Sequence, residues 1–235
     1  MLAENLKEQV QIIKKAYNLT VEDYNKGKSE LEYLPTIFRN SEKFRGFIKA
    51  ANVCNSGDPR IKDYLNPTER MNYLDVGSCA NIIGYKLHEW QASYYGIDIS
   101  QKLIALTNLF VTTNRITIGG LCVAEISNIP FTNNYFDIAS VIGVLEYYEI
   151  DYCIFALKEL NRVLKQNGKL VIDMPNEKHP VVFTMVEYEN YLGRPRNNIP
   201  SNKEFIEALK KFFVIEDIDD TQLMVKYFLR NSKKF

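Results

Sequence analysis

Three short stretches of this sequence carry residue types that do chemistry at the ends of strands. In Tyr73-Leu74-Asp75-Val76-Gly77-Ser78-Cys79-Ala80-Asn81 an apolar run ends in an acid, a glycine and a helix-capping asparagine. A strand that passes through a glycine turn into a helix offers backbone N–H groups at the helix N-terminus, where an anionic ligand group can sit. About twenty residues further on, Tyr95-Gly96-Ile97-Asp98-Ile99 sets a carboxylate at the end of the next strand. From that position an acid accepts hydrogen bonds from both hydroxyls of a ribose. The third stretch opens on Glu125-Ile126-Ser127-Asn128-Ile129-Pro130-Phe131 and closes on Tyr135-Phe136-Asp137. An acid just past a third strand can accept from an exocyclic adenine amine, while a neighbouring backbone N–H serves a ring nitrogen.

The elements that must position these residues follow from periodicity. After Arg70, short apolar runs alternate with helical patterns, the signature of βαβ units. Strands are expected at 71–76, 92–97, 120–124, 136–143 and 169–174, with helices at 81–90, 101–112 and 152–164, the last closed by Asn167-Gly168. A helix at 204–211 precedes two strands, 213–217 and 223–229, joined at Asp219-Asp220-Thr221. No helix separates that last pair, so its members should be antiparallel. Before residue 60, apolar residues at Leu2, Leu6, Val10, Ile13 and Tyr17 mark one helical face. Thr20 and Asp23 suggest the start of a second short helix, a third runs over 41–51, and a turn follows at 55–59. The expected fold is α/β: a Rossmann-like, seven-stranded, mostly parallel sheet with one antiparallel strand and helices on both faces, plus an N-terminal helical cap. Residues 1–60 form the cap, and residues 61–235 form the sheet domain with an insert at 176–200.

Composition narrows the partners. Lys plus Arg and Asp plus Glu number 29 each, and a net charge of zero argues against a general nucleic-acid binder. Four cysteines, Cys54, Cys79, Cys122 and Cys153, lie far apart with no metal-ligand spacing against the two histidines, so no metal is expected and the thiols read as free in a reducing compartment. Glu4, Lys7 and Glu8 interrupt any signal-peptide core, and no apolar run approaches the length of a membrane span. A cytoplasmic monomer or homodimer is the expectation.

Asp75-x-Gly77, Gly96-Ile97-Asp98-Ile99-Ser100, Ile129-Pro130-Phe131 followed by Phe136-Asp137, Val144-Leu145-Glu146-Tyr147, and Arg162-Val163-Leu164-Lys165 followed by Gly168-Lys169-Leu170-Val171-Ile172 stand in the order and spacing of a known family. Over roughly residues 70–175 the chain resembles the class I S-adenosylmethionine (SAM) dependent methyltransferases. The resemblance implies that Asp75 and Gly77, with Ser78 beside them, hold the methionine end of SAM. It implies that Asp98 binds the ribose hydroxyls, that Ile99 packs on the adenine, and that Glu125 and the Ile126 backbone read the adenine edge. Ile142 and its neighbours to residue 144 would close over the sulfonium. Tyr147 occupies a place where related enzymes often carry a histidine, and His179, after the fifth strand, is a candidate base. Tyr24 and Tyr17 of the cap would close over SAM, with S-adenosyl-L-homocysteine (SAH) as product.

Departures from the family pattern also inform. Cys79 and Asn81 stand where members usually carry glycines, a change that SAM tolerates because it brings no pyrophosphate to the turn. The same change disfavours a nicotinamide dinucleotide enzyme, which needs close backbone approach to two phosphates. No Asn/Asp/Ser-Pro-Pro-aromatic loop follows the fourth strand, which disfavours nucleic-acid bases as acceptors. A small molecule or a peptide is the expected substrate, accepting at oxygen or nitrogen, in a pocket lined by Phe183, Tyr188 and Tyr191 of the insert. The alternative is a non-catalytic SAM sensor or regulatory protein, because Leu74-Asp75-Val76-Gly77-Ser78-Cys79-Ala80-Asn81 is similar to the SAM sensors of the TOR pathway.

Overall fold

A computed structural model describes residues 4–195 and 199–232. Seven strands form a single sheet: β1 Asn72–Val76, β2 Ser93–Asp98, β3 Gly120–Val123, β4 Phe136–Val141, β5 Leu164–Pro175, β6 Phe213–Asp219 and β7 Met224–Asn231. Their spatial order is β3-β2-β1-β4-β5-β7-β6. The first five pair parallel, and β7 runs antiparallel to both β5 and β6. The order reverses between β1 and β4, which opens a crevice beyond their C-terminal ends.

The helices are α1 Glu4–Asn25, α2 Thr36–Arg39, α3 Glu42–Ala51, α4 Pro59–Leu65, α5 Asn81–Tyr85, α6 Gln101–Thr113, α7 Ile150–Val163, α8 Val182–Tyr191 and α9 Asn202–Leu209. Successive strand residues point to opposite faces, and this divides the core. On one face Leu74, Val76, Ala139 and Ile172 pack with Tyr152, Ala156 and Leu160 of α7 and Phe205 of α9. Leu6, Val10 and Ile13 of α1 belong to that same cluster. On the other face Tyr73, Tyr94 and Val171 pack with Ile61 and Leu65 of α4, Ile82 of α5 and Trp90. A third, smaller core joins Phe38, Phe44 and Phe47 to Val182 and Met185 of α8 and to Met224 of β7. The short helices of residues 34–51 therefore rest on α8 and on the start of β7, apart from the two larger cores. Among the described residues no helix is long and apolar enough to cross a membrane.

Several local readings need correction. Thr20 starts no helix; it lies inside α1, where its hydroxyl donates to the Ala16 carbonyl at 3.3 Å, a bond a threonine makes within a helix. The reciprocal cap falls instead at Ser29 and Glu32, opening a 3-10 turn over Glu30–Tyr33. The turn expected at 55–59 delivers α4, with Asp58 capping the Arg60 N–H and Pro59 at the first helical position. The helix after β1 stops at Tyr85 because Lys86 turns left-handed at φ 53°. Asn167-Gly168 closes no helix: α7 ends at Val163, β5 begins at once, and Asn167 sits at φ 64° inside that strand. A side chain at Gly168 would meet the Asp137 carbonyl oxygen at 2.9 Å, so the glycine is what lets β5 approach β4 at their shifted register.

Candidate active site

A cleft of about 300 Å³ lies at the crevice. Its floor comes from three strand ends: Val76, Gly77 and Cys79 after β1, Ile97, Asp98 and Ile99 after β2, and Ile142, Gly143 and Val144 after β4. Ala124 and Ile126 add the end of β3, and Tyr17, Tyr147 and Glu189 form the facing wall.

The turn after β1 is drawn tight by β2. Gly77 has φ +68°, and a Cβ there would stand 2.3 Å from Val144 Cγ2, so only glycine fits. The Gly77 and Ser78 N–H groups both donate to the Ile97 carbonyl, at 2.9 and 3.0 Å. The Cys79 N–H donates to Asp98 Oδ2 at 2.9 Å. The backbone donors expected to stay open for an anionic ligand are thus already used at 77–79, because the turn is fastened to the neighbouring strand. Those bonds do prepare Asp98. Its Oδ1 accepts from the Ser100 N–H at 2.8 Å and its Oδ2 from Cys79. A carboxylate oxygen has two acceptor sites, so each oxygen retains one, and the pair suits a vicinal diol. Burial holds this carboxyl above its ordinary range, opposed by the two N–H bonds. Ile99 and Ile126 supply apolar walls beside it for a flat ring.

Asp75 lies beneath the floor and is fully buried. Tyr94 OH donates to it at 2.8 Å, Ser140 Oγ at 3.3 Å and Asn81 Nδ2 at 3.2 Å. Burial pushes its carboxyl up to about 6. Asn81, which does line the cleft, is the group through which Asp75 reaches it. Ser78 is also fully buried and packs against Gly96, outside the cleft wall. Gly143, at φ +69°, donates its N–H to Asp173 Oδ1 at 2.8 Å and has open space where a Cβ would be.

The facing wall is a hydrogen-bonded chain. Tyr17 OH and Tyr147 OH are 2.9 Å apart, and Tyr147 OH donates to Glu189 Oε2 at 3.2 Å. The Arg194 guanidinium lies 4.3 Å from the Tyr17 ring centroid, donates to Glu189 Oε2 at 3.4 Å, and on its other side reaches Glu30 Oε1 at 2.5 Å and Thr20 Oγ1 at 2.7 Å. Burial raises the Tyr17 phenol well above its ordinary value, partly offset by Arg194. Cys79 is likewise pushed up to about 12 by burial.

Of the residues singled out from sequence, Gly77, Asp98, Ile99, Ile126, Ile142, Tyr17 and Tyr147 line the cleft. Glu125 lies outside its wall, 3.5 Å from the Ser127 hydroxyl. His179 also lies outside; its Nδ1 accepts from the Val181 N–H at 3.4 Å in the turn that starts α8. Tyr24 is 71% exposed and faces a different cavity, because α1 continues straight through residue 20 and carries it past the cleft mouth. Phe183 is 80% exposed, and Tyr188 and Tyr191 face that same second cavity. The insert meets the cleft through Glu189 instead. Sequence reasoning missed Glu189 and Asn81, which line the cleft, and Arg194, which pairs with Glu189; Asn81, three residues past Ser78 at a helix start, is the one with a local signal.

Residues 74–172 match a family model described as a methyltransferase domain. Comparison with curated proteins gives no match. Among solved structures, the chain is similar to a protein from Pyrococcus horikoshii OT3 at 18% identity and TM-score 0.64, over 83% of this chain and 93% of that one. It is similar to a SAM-dependent methyltransferase from Methanosarcina mazei at 18% identity and TM-score 0.59, over 75% and 98% of the two chains. A third likeness, at 14% identity and TM-score 0.60 over 79% and 80%, is to geranyl diphosphate C-methyltransferase from Streptomyces coelicolor A3(2), solved with Mg2+, geranyl diphosphate and SAH. At these identities the structural likeness is one of fold.

Proposed function

We propose that this chain, residues 74–172 of which match a methyltransferase-domain model, is a SAM-dependent methyltransferase that methylates an oxygen or nitrogen of a small molecule or peptide held against Tyr17, Tyr147 and Glu189. The observation that carries this reading is the two-sided cleft. One side presents Asp98 with two open acceptor sites between Ile99 and Ile126, and the other presents a phenol–phenol–carboxylate chain. On the first side Asp98 would take the ribose hydroxyls, Ile99 and Ile126 the adenine faces, and Gly77, Asn81 and Gly143 the methionine end.

SAM supplies a methyl group on a sulfonium, an electrophile that needs an aligned nucleophile in a dry site. Holding the acceptor in line is worth several kcal/mol of barrier, and Tyr17, Tyr147 and Val144 do that work here. An acceptor that carries a proton must also lose it. Tyr17 stays a neutral phenol near neutral pH, so neither it nor its partner Tyr147 is the final resting place of that proton. The Tyr17 and Tyr147 hydroxyls pass it along, and Glu189 receives it. Residues 1–60 act as a cap and residues 176–200 as an insert whose Glu189 and Arg194 close the acceptor side against water.

Incubation of the full chain with SAM and separate pools of amines, phenols, carboxylates and short peptides, read as SAH formed, tests the activity. With an acceptor in hand, Glu189→Gln and Tyr147→Phe should each lower kcat by about 10²–10⁴ while leaving SAH affinity unchanged. Full turnover in both variants removes the proton chain from the mechanism.

A further inference from the structure

We propose that a second cavity, between α1, the turn Glu30–Tyr33 and α8, is a binding site for a small organic cation of the alkylammonium type. The cavity measures about 650 Å³, against about 300 Å³ for the cleft, and shares no lining residue with it. Its size is that of a small-molecule site. Four tyrosines, Tyr24, Tyr33, Tyr188 and Tyr191, stand around it, and the two that belong to the cap are 71% and 44% exposed. Tyr188 and Tyr191 also pack on Phe44, Phe47 and Phe38, which leaves the exposed Tyr24 and Tyr33 rings as the ones free to meet a ligand. An aromatic ring attracts a cation through its electron-rich face.

Two carboxylates complete the walls, and they differ. Glu30 is satisfied: Arg194 pairs with it, and Thr20 and Tyr188 donate to it. Asp23 is 6% exposed, and the one hydrogen-bond partner of its carboxylate among the described residues is the Tyr33 hydroxyl, which donates to Oδ2. No Lys, Arg or His side chain among the described residues pairs with it. Lys28, the one basic residue among the described residues of the cavity wall, is exposed and pairs with no described acid. A carboxylate so nearly buried calls for a positive partner, and the open side of Asp23 is the cavity. An anionic ligand would face both acids, and a neutral one would leave Asp23 unpaired. A cation seated among the tyrosines answers both.

Titration of the full chain by calorimetry with choline and with its uncharged carbon isostere, 3,3-dimethylbutan-1-ol, tests this. Choline should bind about tenfold or more tightly than the isostere. Asp23→Asn should cost at least tenfold in choline affinity, and Tyr24→Ala, at an exposed position where folding is not at stake, severalfold. SAH affinity should not change in either variant, and saturating SAH should not displace choline. Absence of choline binding at millimolar concentration, equal binding of the isostere, choline affinity unaltered by Asp23→Asn or Tyr24→Ala, or competition with SAH each overturns the proposal. The outcome is independent of the methyl acceptor, so its failure leaves the reading of the cleft standing.

Discussion

Asp98 receives its hydrogen bonds from residues two and nineteen positions away, whereas Tyr17 reaches Tyr147 across 130 positions and Arg194 reaches Glu30 across 164. The half of the cleft proposed for the cofactor is thus made by a strand, its turn and the adjoining strand. The half proposed for the acceptor is made where α1, the turn after β4 and the α8 segment meet, and it is held by side chains. The half with local construction is rigid by backbone hydrogen bonds. The half with distant construction depends on one buried cation, Arg194, bridging Glu30 and Glu189.

Removing that cation is the strongest test of the difference. Arg194→Ala leaves Glu189 buried beside Tyr147 and should lower unfolding free energy by about 3 kcal/mol, read from urea midpoints, while SAH affinity stays within about twofold of the parent. A large loss of SAH affinity would join the two halves that the geometry separates. Asp98→Ala is the converse: calorimetry should show SAH bound more weakly by roughly 1.5–3 kcal/mol, and unchanged affinity would remove Asp98 from the ribose assignment.

Asp75 probes the floor beneath the cofactor half. Its folded-state carboxyl is pushed up to about 6 from an ordinary 3.8, so the folded protein holds this proton more tightly than the unfolded chain does. That contribution to stability is complete below the ordinary value and is lost as pH rises through the folded one. Between about pH 4 and pH 7 the parent should therefore lose roughly 2–3 kcal/mol relative to Asp75→Asn, measured as the difference between their stability–pH curves. Parallel curves would mean that Asp75 is ionised throughout. The smallest effect is expected at Glu125, which lies outside the cleft wall. Glu125→Ala should change SAH affinity by less than about 0.5 kcal/mol, the size of a surface substitution, and a loss equal to that of Asp98→Ala would relocate the adenine.

The division also decides what could be read from the sequence. Gly77, Asp98 and the strands that carry them follow from alternation, spacing and turn chemistry within some thirty residues, and the antiparallel end of the sheet follows from the absence of a helix between its last two strands. The helix α8 did not, for its sequence Val-Phe-Thr-Met-Val-Glu-Tyr-Glu-Asn-Tyr is rich in β-branched and aromatic residues of low helix propensity. It is helical because Val182 and Met185 are gathered into the small core with Phe44 and Phe47. With the helix unread, Phe183 looked like a pocket residue and Glu189 did not. Asp58-Pro59 reads as a turn from its composition, and an acid cap followed by proline is equally a helix start, which is what it makes here. Asn167-Gly168 was seen as a helix end, although the same pair in the left-handed region serves a bend within a strand.

The long reach of Arg194 has a consequence in time. Residue 17 leaves the ribosome 177 positions before residue 194, and at 5–20 residues per second that interval is roughly 9–35 s. The α7 segment that Leu6, Val10 and Ile13 will cover is made roughly thirty positions before residue 194, so the apolar stripe of α1 waits for it through most of that interval. The floor of the cleft is complete when β5 emerges, its far wall only with the last bridging side chain. When β5 has been made, Asp98 and both phenols opposite it are already part of the chain, and the Glu189 and Arg194 that hold those phenols are still to come.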